Sequence, residues 1–433
     1  MYYMSYSDNY YSRTRTYKLD SNKLNESIQC DVCIVGGGLT GISTAYYLSL
    51  LDPSLKIVVL EKNKIGWGAS GRNGGQLLHG YSSDDFSGQK NISVEEEKIL
   101  WNFSVDAVNE VKNNIKKHNI DCDLIEGFLL TAANNRHEKS LYKQQKILEK
   151  KYNYKNSIFL NKSELNKKFR SPYYQSAIYD SFCAQIHPLN YCLGLAAEAL
   201  KNKNVSMYEG VEVSSFKSNQ KVFIQTSKNI EIKSRYLVLS CNAYIGNLSK
   251  KLRPMIMPVK TYVTAIESQP QSVLKEFFEK PITISDMFFV LNYFRLNSKN
   301  NVIFGGRVSY SNVDPIDVEK SLKKIIKKIM PGMEKCKSIC SWSGHVAITQ
   351  NRLPHIGQLD NNVLFAQGYS GHGVALTTLV GKTFAQSIKG QSSHLDLFSK
   401  LNHSKFPGAG IFDTPLLVLA MSYYKIRDIL RLY

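Results

Sequence analysis

No stretch of this 433-residue chain stays apolar for the roughly 20 residues that a membrane-spanning helix needs. The nearest run, Pro415 to Tyr424, is about half that length. The N-terminus is polar and tyrosine-rich and lacks the apolar core of a signal peptide, so a cytoplasmic location is expected. Cysteine is sparse: eight thiols are too few for a disulfide framework. Cys30 and Cys33 form a C-x-x-C at the start of a strand, where side chains three apart should point to opposite faces. With no second C-x-x-C to complete four ligands, no metal site is expected. Acidic residues are also short, 36 against 55 basic, giving a net charge of +19. Such an excess can mark a nucleic-acid or membrane surface. Here the lysines are dispersed, and the densest patch, Lys320 to Gly332, is spaced like the wet face of one amphipathic helix, so no nucleic-acid partner is expected.

Glycine, by contrast, is concentrated. Residues 66–80, "GWGASGRNGGQLLHG", hold six glycines directly after the strand-like "KIVVLE". Glycine packs nothing and is entropically costly, so a cluster implies that main chain must approach something closely. Upstream, Cys30 onward reads as a short strand running into Gly36-Gly37-Gly38-Leu39-Thr40-Gly41, and Leu39 to Leu51 has helical periodicity ended by Asp52-Pro53. Lys56 to Leu60 is the next strand, so the unit is βαβ and its sheet should be parallel. The G-x-G-x-x-G follows a strand, opens a helix, and has Glu61 twenty residues beyond its last glycine. That context reads as a dinucleotide site, with phosphates on the helix N-terminus and Glu61 on the adenosine ribose, which disfavours NADP. Near the other end, Gly368 to Gly373 precedes a further helix and offers a second cluster of N–H donors. Two such termini suit a long cofactor, FAD.

Further helices are expected from about Glu95 and from Leu189, and strands in 205–244, in 256–268, across "MFFVLNYFRL" and in 301–308. The order suggests interleaved domains: an irregular arm over 1–29, cofactor-domain segments 30–90, 188–250 and 341–433, and substrate-domain segments 91–187 and 251–340.

The motifs "DVCIVGGGLTGISTAYYLS", "VVLEKNKIGWGASGRNGGQ", "IHPLNYCLGLAAEA", "CNAYIG", "NRLPHIGQLDNNVLFAQGYSGHGV" and "FPG" resemble the D-amino-acid-oxidase-type FAD-dependent oxidoreductases, and within them the branch acting on gamma-glutamylputrescine. The resemblance implies an α/β fold: a Rossmann-like FAD domain interleaved with an α+β, β-sheet-based substrate domain. It implies that Gly36, Gly37, Gly38, Leu39, Thr40 and Gly41 take the pyrophosphate of non-covalent FAD. Glu61, with Lys62 beside it, takes the adenosine ribose, and Val213 meets the adenine. Gly68, Ala69, Ser70, Gly71, Arg72, Asn73, Gly74, Gly75 and Gln76 line the flavin, and Gly371, His372, Gly373 and Val374 hold its pyrimidine edge. The implied chemistry is oxidation of a small-molecule amine with oxygen or another electron acceptor, in polyamine breakdown. The flavin does the hard step, so no acid–base dyad is demanded. Tyr293, Arg295, His345 and His372 are candidates for lining the substrate site, Arg295 as a holder of a distal carboxylate.

Three departures from the wider family matter. Its glycine-oxidase-like members carry W-x-G-x-R-P before P-x-I-G, the Arg gripping the substrate carboxylate. Here the segment reads Trp342-Ser343-Gly344-His345-Val346-Ala347, so Val346 stands where the Arg would. A carboxylate buried there would have no partner, which is expensive, so a terminal primary amine fits better than an α-amino acid. Cys183-Ala184-Gln185 replaces a Gly-Gly-His before "IHPL", and Ile303 falls where sarcosine-oxidase-like members use lysine to activate oxygen.

Overall fold

The computed structural model describes residues 6, 8–20, 22–83, 86, 88–267, 271–288, 290–309 and 317–406. The end of the segment 341–433 assigned to the cofactor domain, with Pro407 and Gly408 of "FPG", lies outside them.

The chain opens with α1 (Tyr10–Thr14), β1 (Ile28–Val35), α2 (Leu39–Leu51), β2 (Ile57–Glu61) and the two-residue β3 (Gln76–Leu77). A cap region follows: α3 (Val94–His118), β4 (Ile125–Ala132), α4 (Asn135–Tyr152), β5 (Ser157–Leu160), α5 (Lys162–Asn166) and β6 (Ser176–Gln185). Next come α6 (Pro188–Leu200), β7 (Val205–Glu209), β8 (Val213–Ser218), β9 (Val222–Thr226) and β10 (Glu231–Leu239). Then β11 (Met257–Glu267), α7 (Gln271–Phe277), β12 (Thr283–Asp286), β13 (Tyr293–Leu296), β14 (Asn301–Ser309), α8 (Val318–Ile329) and β15 (Ser338–Ile348). The described chain ends with β16 (His355–Asp360), β17 (Val363–Gln367), α9 (Gly373–Ile388) and α10 (Ser393–Ser399).

Two sheets organise these elements. The first runs β16-β17-β10-β1-β2-β7, with β8 and β9 joined beside β10. Its centre is parallel, as the βαβ reading requires: β1 pairs in parallel with both β2 and β10, and β17 in parallel with β10. The second sheet runs β15-β11-β14-β13-β12-β4-β6-β3, with β5 on β6, and is antiparallel except where β12 meets β4. The last strand pair thus returns to complete the first sheet. The boundary expected between residues 340 and 341 falls inside β15, a strand of the second sheet, and β3 leaves the glycine loop to pair there too.

Other differences have local reasons. The arm is not irregular throughout. Asn9 caps α1 in a reciprocal box with Ser12, and Tyr10 and Tyr11 are buried. Among the described residues of "MFFVLNYFRL" only Tyr293–Leu296 is strand, paired with β12 on one side and β14 on the other. Cys30 and Cys33 lie in one core cluster, not on opposite faces. Strand β1 is irregular between them: the N–H groups of Asp31 and Val32 both reach Lys56 O. None of the eight cysteines is in a disulfide. Helix α8 buries Leu322, Ile326 and Ile329 and turns its lysines outward, as its spacing predicts. Among the described residues, no helix is long and apolar enough to cross a membrane.

Candidate functional site

A cavity of about 640 Å³ opens at the carboxyl ends of β1, β2 and β10, where parallel α/β sheets place ligands. Val35, Leu60 and Glu61 form its floor with Ser240 and Cys241. Gly36, at φ +110°, makes the sharp exit from β1, and any Cβ there would lie 2.7 Å from Ser240 O. A Cβ on Gly41 would sit 2.1 Å from Gly36 O, so this glycine lets α2 pack on the strand. Gly36, Gly38, Leu39 and Thr40 line the cavity; Gly37 and Gly41 support them from behind. Gly38 caps α2 with no side-chain hydrogen bond, which leaves an N-terminus suited to an anion. Leu39 N–H donates to Ser70 Oγ from the glycine loop (2.9 Å).

Glu61 ends β2 at the cavity. Its two oxygens accept from Gly37 N–H (2.7 Å) and Asn63 N–H (2.8 Å). Burial pushes its pKa up, while these two donors oppose the shift. Lys62 and Val213 line the same end.

At the opposite end, helix α9 presents its own N-terminus, again without a side-chain cap. Gly371, Gly373 and Val374 line the cavity. Gly371 lies at φ +98°, and a Cβ there would meet nothing within 4 Å. His372 caps α9 and is half-buried, off the cavity lining. Burial, then the nearby His79 and Arg352, lowers its pKa to about 4, so the ring is neutral near pH 7. The two helix starts are tied together by Thr40 Oγ1 and Tyr369 Oη, 2.9 Å apart. Thus one cavity joins two uncapped helix N-termini to a carboxylate at the end of the second strand. That donor set fits a long cofactor with a pyrophosphate, a ribose and an electron-rich ring edge.

A family model described as FAD dependent oxidoreductase (DAO) matches residues 31–387. The chain belongs to this FAD-dependent oxidoreductase family. It is similar to the gamma-glutamylputrescine oxidoreductase of Escherichia coli (strain K12), with 33% identity over 424 residues, 98% of each chain. A probable oxidoreductase of Haemophilus influenzae is 31% identical over 431 residues, again 98% of each chain. In fold it resembles glycine oxidase from Geobacillus kaustophilus, with a TM-score of 0.71 at 20% identity over 87% of this chain and 99% of that one. The expected architecture, a Rossmann-like FAD domain with a sheet-based substrate domain, therefore holds.

Within this FAD-dependent oxidoreductase the glycine loop divides. Gly68, Ala69, Ser70 and Asn73 line the cavity, while Gly71, Arg72, Gly74, Gly75 and Gln76 do not. Asn73 shapes the turn: its amide donates to Ala69 O and Ser70 O and its Oδ1 accepts from Gly75 N–H. The second half of the loop is pinned to the second sheet. Gln76 binds Thr283, Ile284 O and Ser285. A Cβ on Gly74 would strike the Tyr293 ring at 2.6 Å, and one on Gly75 would meet Arg295 Nε at 2.9 Å.

Tyr293 and Arg295, expected as substrate-lining residues, are not among the residues lining this cavity. They share a strand face, as their alternation predicts, but that face meets the back of the glycine loop. Arg295 is 1% exposed. It donates to Gly74 O (2.9 Å) and Gln185 Oε1 (3.1 Å), reaches Tyr11 Oη at 3.5 Å, and lies 3.8 Å from Asp123. Three of its five N–H donors are thus engaged within the chain. His345 lies behind the wall as well, with its Nδ1 3.4 Å from the hydroxyl of the cavity residue Tyr244. Arg72 stacks on Trp67, its guanidinium carbon 3.9 Å from the ring centroid.

Sequence reasoning missed Trp67 and Tyr244, an edge-to-face pair 5.6 Å apart on the cavity wall. Tyr244 follows β10, whose carboxyl end was the available signal. A separate buried cluster joins His79, Asp180 and Cys183, whose donor atoms lie within 4.8 Å of one another. Asp180 there already accepts from His79 (2.8 Å), Tyr154 Oη and the N–H groups of Phe182 and Cys183, which leaves its oxygens no free site for a metal.

Proposed function

We propose that this enzyme binds FAD non-covalently and oxidises the terminal primary amine of an alkyl chain, gamma-glutamylputrescine foremost, in polyamine breakdown. The observation that carries this reading is Val346. It lines the cavity beside Ala347, at the position where glycine-oxidase-like members place a carboxylate-binding arginine. An α-amino acid lying carboxylate-down there would bury an unpaired anion. An alkylamine would not. The 33% identity to gamma-glutamylputrescine oxidoreductase over nearly the whole chain supports the same substrate.

Bound FAD would take a hydride equivalent from the carbon bearing the amine and pass the electrons to oxygen or another acceptor. The protein's share is placement and dryness. The starts of α2 and α9 would hold the pyrophosphate and the ring edge, Glu61 the ribose, and Val213 the adenine. The apolar wall of Val346 and Ala347 disfavours an ammonium and so favours the neutral amine that can react. Loss of the hydride equivalent gives an imine, and water hydrolyses it to aldehyde and ammonia. Ile303, buried in β14 where a lysine would activate oxygen, leaves the acceptor to be fixed by experiment. A cytoplasmic setting belongs to the same proposal.

The test is a panel of amines and amino acids mixed with the FAD-loaded protein without oxygen, read by bleaching of the flavin. Gamma-glutamylputrescine should bleach it fastest. Bleaching by sarcosine or glycine but not by this amine would overturn the assignment. Acid precipitation should release the flavin into the supernatant; flavin that stays with the pellet would contradict the non-covalent link.

A further inference from the structure

Arg72 carries an unmet charge beside this site. Its Nε donates to Trp67 O (2.8 Å) and its Nη1 reaches Ser343 O at 3.4 Å. Its backbone carbonyl accepts from Trp342 Nε1 (2.8 Å), which fixes the residue against β15. Nη2 is shut off from water and has no hydrogen-bond partner. Among the described residues no carboxylate pairs with this guanidinium. A desolvated, unpaired cationic N–H is costly, so its retention calls for an acceptor that is not part of the chain.

Position says which acceptor. Arg72 crosses β15 at Gly344, where a Cβ would lie 3.3 Å from the Arg72 Cβ. Strand alternation puts Val346 two residues farther along the same face, and Val346 lines the cavity. The plane of the guanidinium is set by Trp67, itself a cavity residue. The Arg72 side chain thus crosses β15 two strand positions from Val346, and its guanidinium, at Ser343 O and Trp67, brings a positive charge in from the glycine loop instead of from the strand. Arg295, the cation expected to hold a substrate carboxylate, is 1% exposed and turned to Gly74, Gln185, Tyr11 and Asp123.

We propose that Arg72, through Nη2, anchors a carboxylate on the substrate, so that the site selects an amine with a distant anionic group over a simple diamine. This rests on the amine-oxidation reading above. A guanidinium fork matches a carboxylate in geometry as well as charge. A diamine would instead bring a second cation towards Arg72, so the same residue disfavours free putrescine.

The test uses the FAD-loaded protein and two matched amines, N-glutarylputrescine and N-pentanoylputrescine, which share the alkylamine, the amide and the acyl chain length and differ in the terminal carboxylate. Anaerobic stopped-flow bleaching against concentration separates the dissociation constant from the limiting rate. Titration calorimetry with the mono-n-butylamide of glutaric acid, which has the carboxylate and no amine, reads binding alone. In the parent protein the carboxylate-bearing amine should bind about 10- to 100-fold more tightly, the worth of a hydrogen bond to a charged group. Arg72→Gln should abolish that preference and the calorimetric binding, and Arg72→Lys should restore part of both. Equal weakening of both amines, or loss of FAD from the variant, would mean that Arg72 only braces the loop and would overturn the proposal. Unchanged preference would overturn it as well. If no terminal amine bleaches the parent flavin, the amine reading fails on its own, and the calorimetric comparison still decides the role of Arg72.

Discussion

At the scale of single residues, Glu61 shows what sequence can and cannot give. Its distance from the G-x-G-x-x-G and its place at a strand end pointed to a cofactor ribose before any coordinates. That both its oxygens also hold the loop together, through Gly37 and Asn63, depends on chain segments meeting in space. Glu61→Gln keeps the shape but turns one acceptor into a donor facing an N–H. We expect FAD affinity to fall about 10- to 100-fold, from about 1–3 kcal/mol for an unmet buried donor, measured as flavin fluorescence released on dilution. Unchanged release would remove Glu61 from the cofactor site. Arg295 shows the opposite case. Its alternation with Tyr293 correctly put both on one face, but nothing local to "NYFRL" says what that face meets. The answer lies in Gly74, some 220 residues away, and in Tyr11 of the arm.

At the scale of elements, the helices were the most legible. Spacing placed α3 and α6 within a residue or so of their observed starts. Strand β12 was not seen, because a four-residue strand buried on both faces has no alternation to show. The contact that aligns the two cavity-lining helix termini was also invisible, since it joins segments more than 300 residues apart. Gly381 makes it possible: a Cβ there would lie 2.5 Å from Ser43 Cβ and 2.6 Å from Thr44 N. Because the second clash is with backbone, α9 must shift bodily. Gly381→Ala should cost about 1–3 kcal/mol of stability, the usual range for an overpacked contact. It should also loosen FAD, because moving α9 parts Tyr369 from Thr40. A thermal scan with and without added FAD checks both; a variant as stable as its parent in both scans would show that the helices are not so tightly registered.

At the scale of the whole molecule, composition said little beyond the class of fold, and the +19 charge gave no site. The burial of histidine is a property that only the folded chain reveals. His187 caps α6 by accepting from Asn190 N–H (3.1 Å), with its other nitrogen 3.0 Å from Thr14 of the arm. The rings of His355, at the start of β16, and His403 lie 4.4 Å apart at an angle of 34°. Burial lowers His187 and His355 to about 3 and His403 to about 4, with the neighbouring His403 further lowering His355. In the unfolded chain each titrates near 6.5. A depressed folded pKa means that the unfolded state binds the proton first, so the stability these groups contribute is whole above about pH 6.5. It is lost progressively as the pH falls towards about 4 and then 3. His79 runs the other way: burial would lower it, but Cys183 and Asp180 beside it hold it well above the ordinary value, so its contribution is present in acid and fades as the pH rises through that folded pKa. With His372, also lowered to about 4, four lowered groups outweigh one raised one below neutrality, and the melting temperature should therefore drop steadily from pH 6.5 to 4.5. His403→Leu removes one buried base and relieves the repulsion on His355, and both effects flatten that acid limb. Melting curves of parent and variant at half-unit pH steps, followed by tryptophan fluorescence, give the comparison. Parallel curves would mean that acid acts on this fold through its carboxylates instead of through these rings.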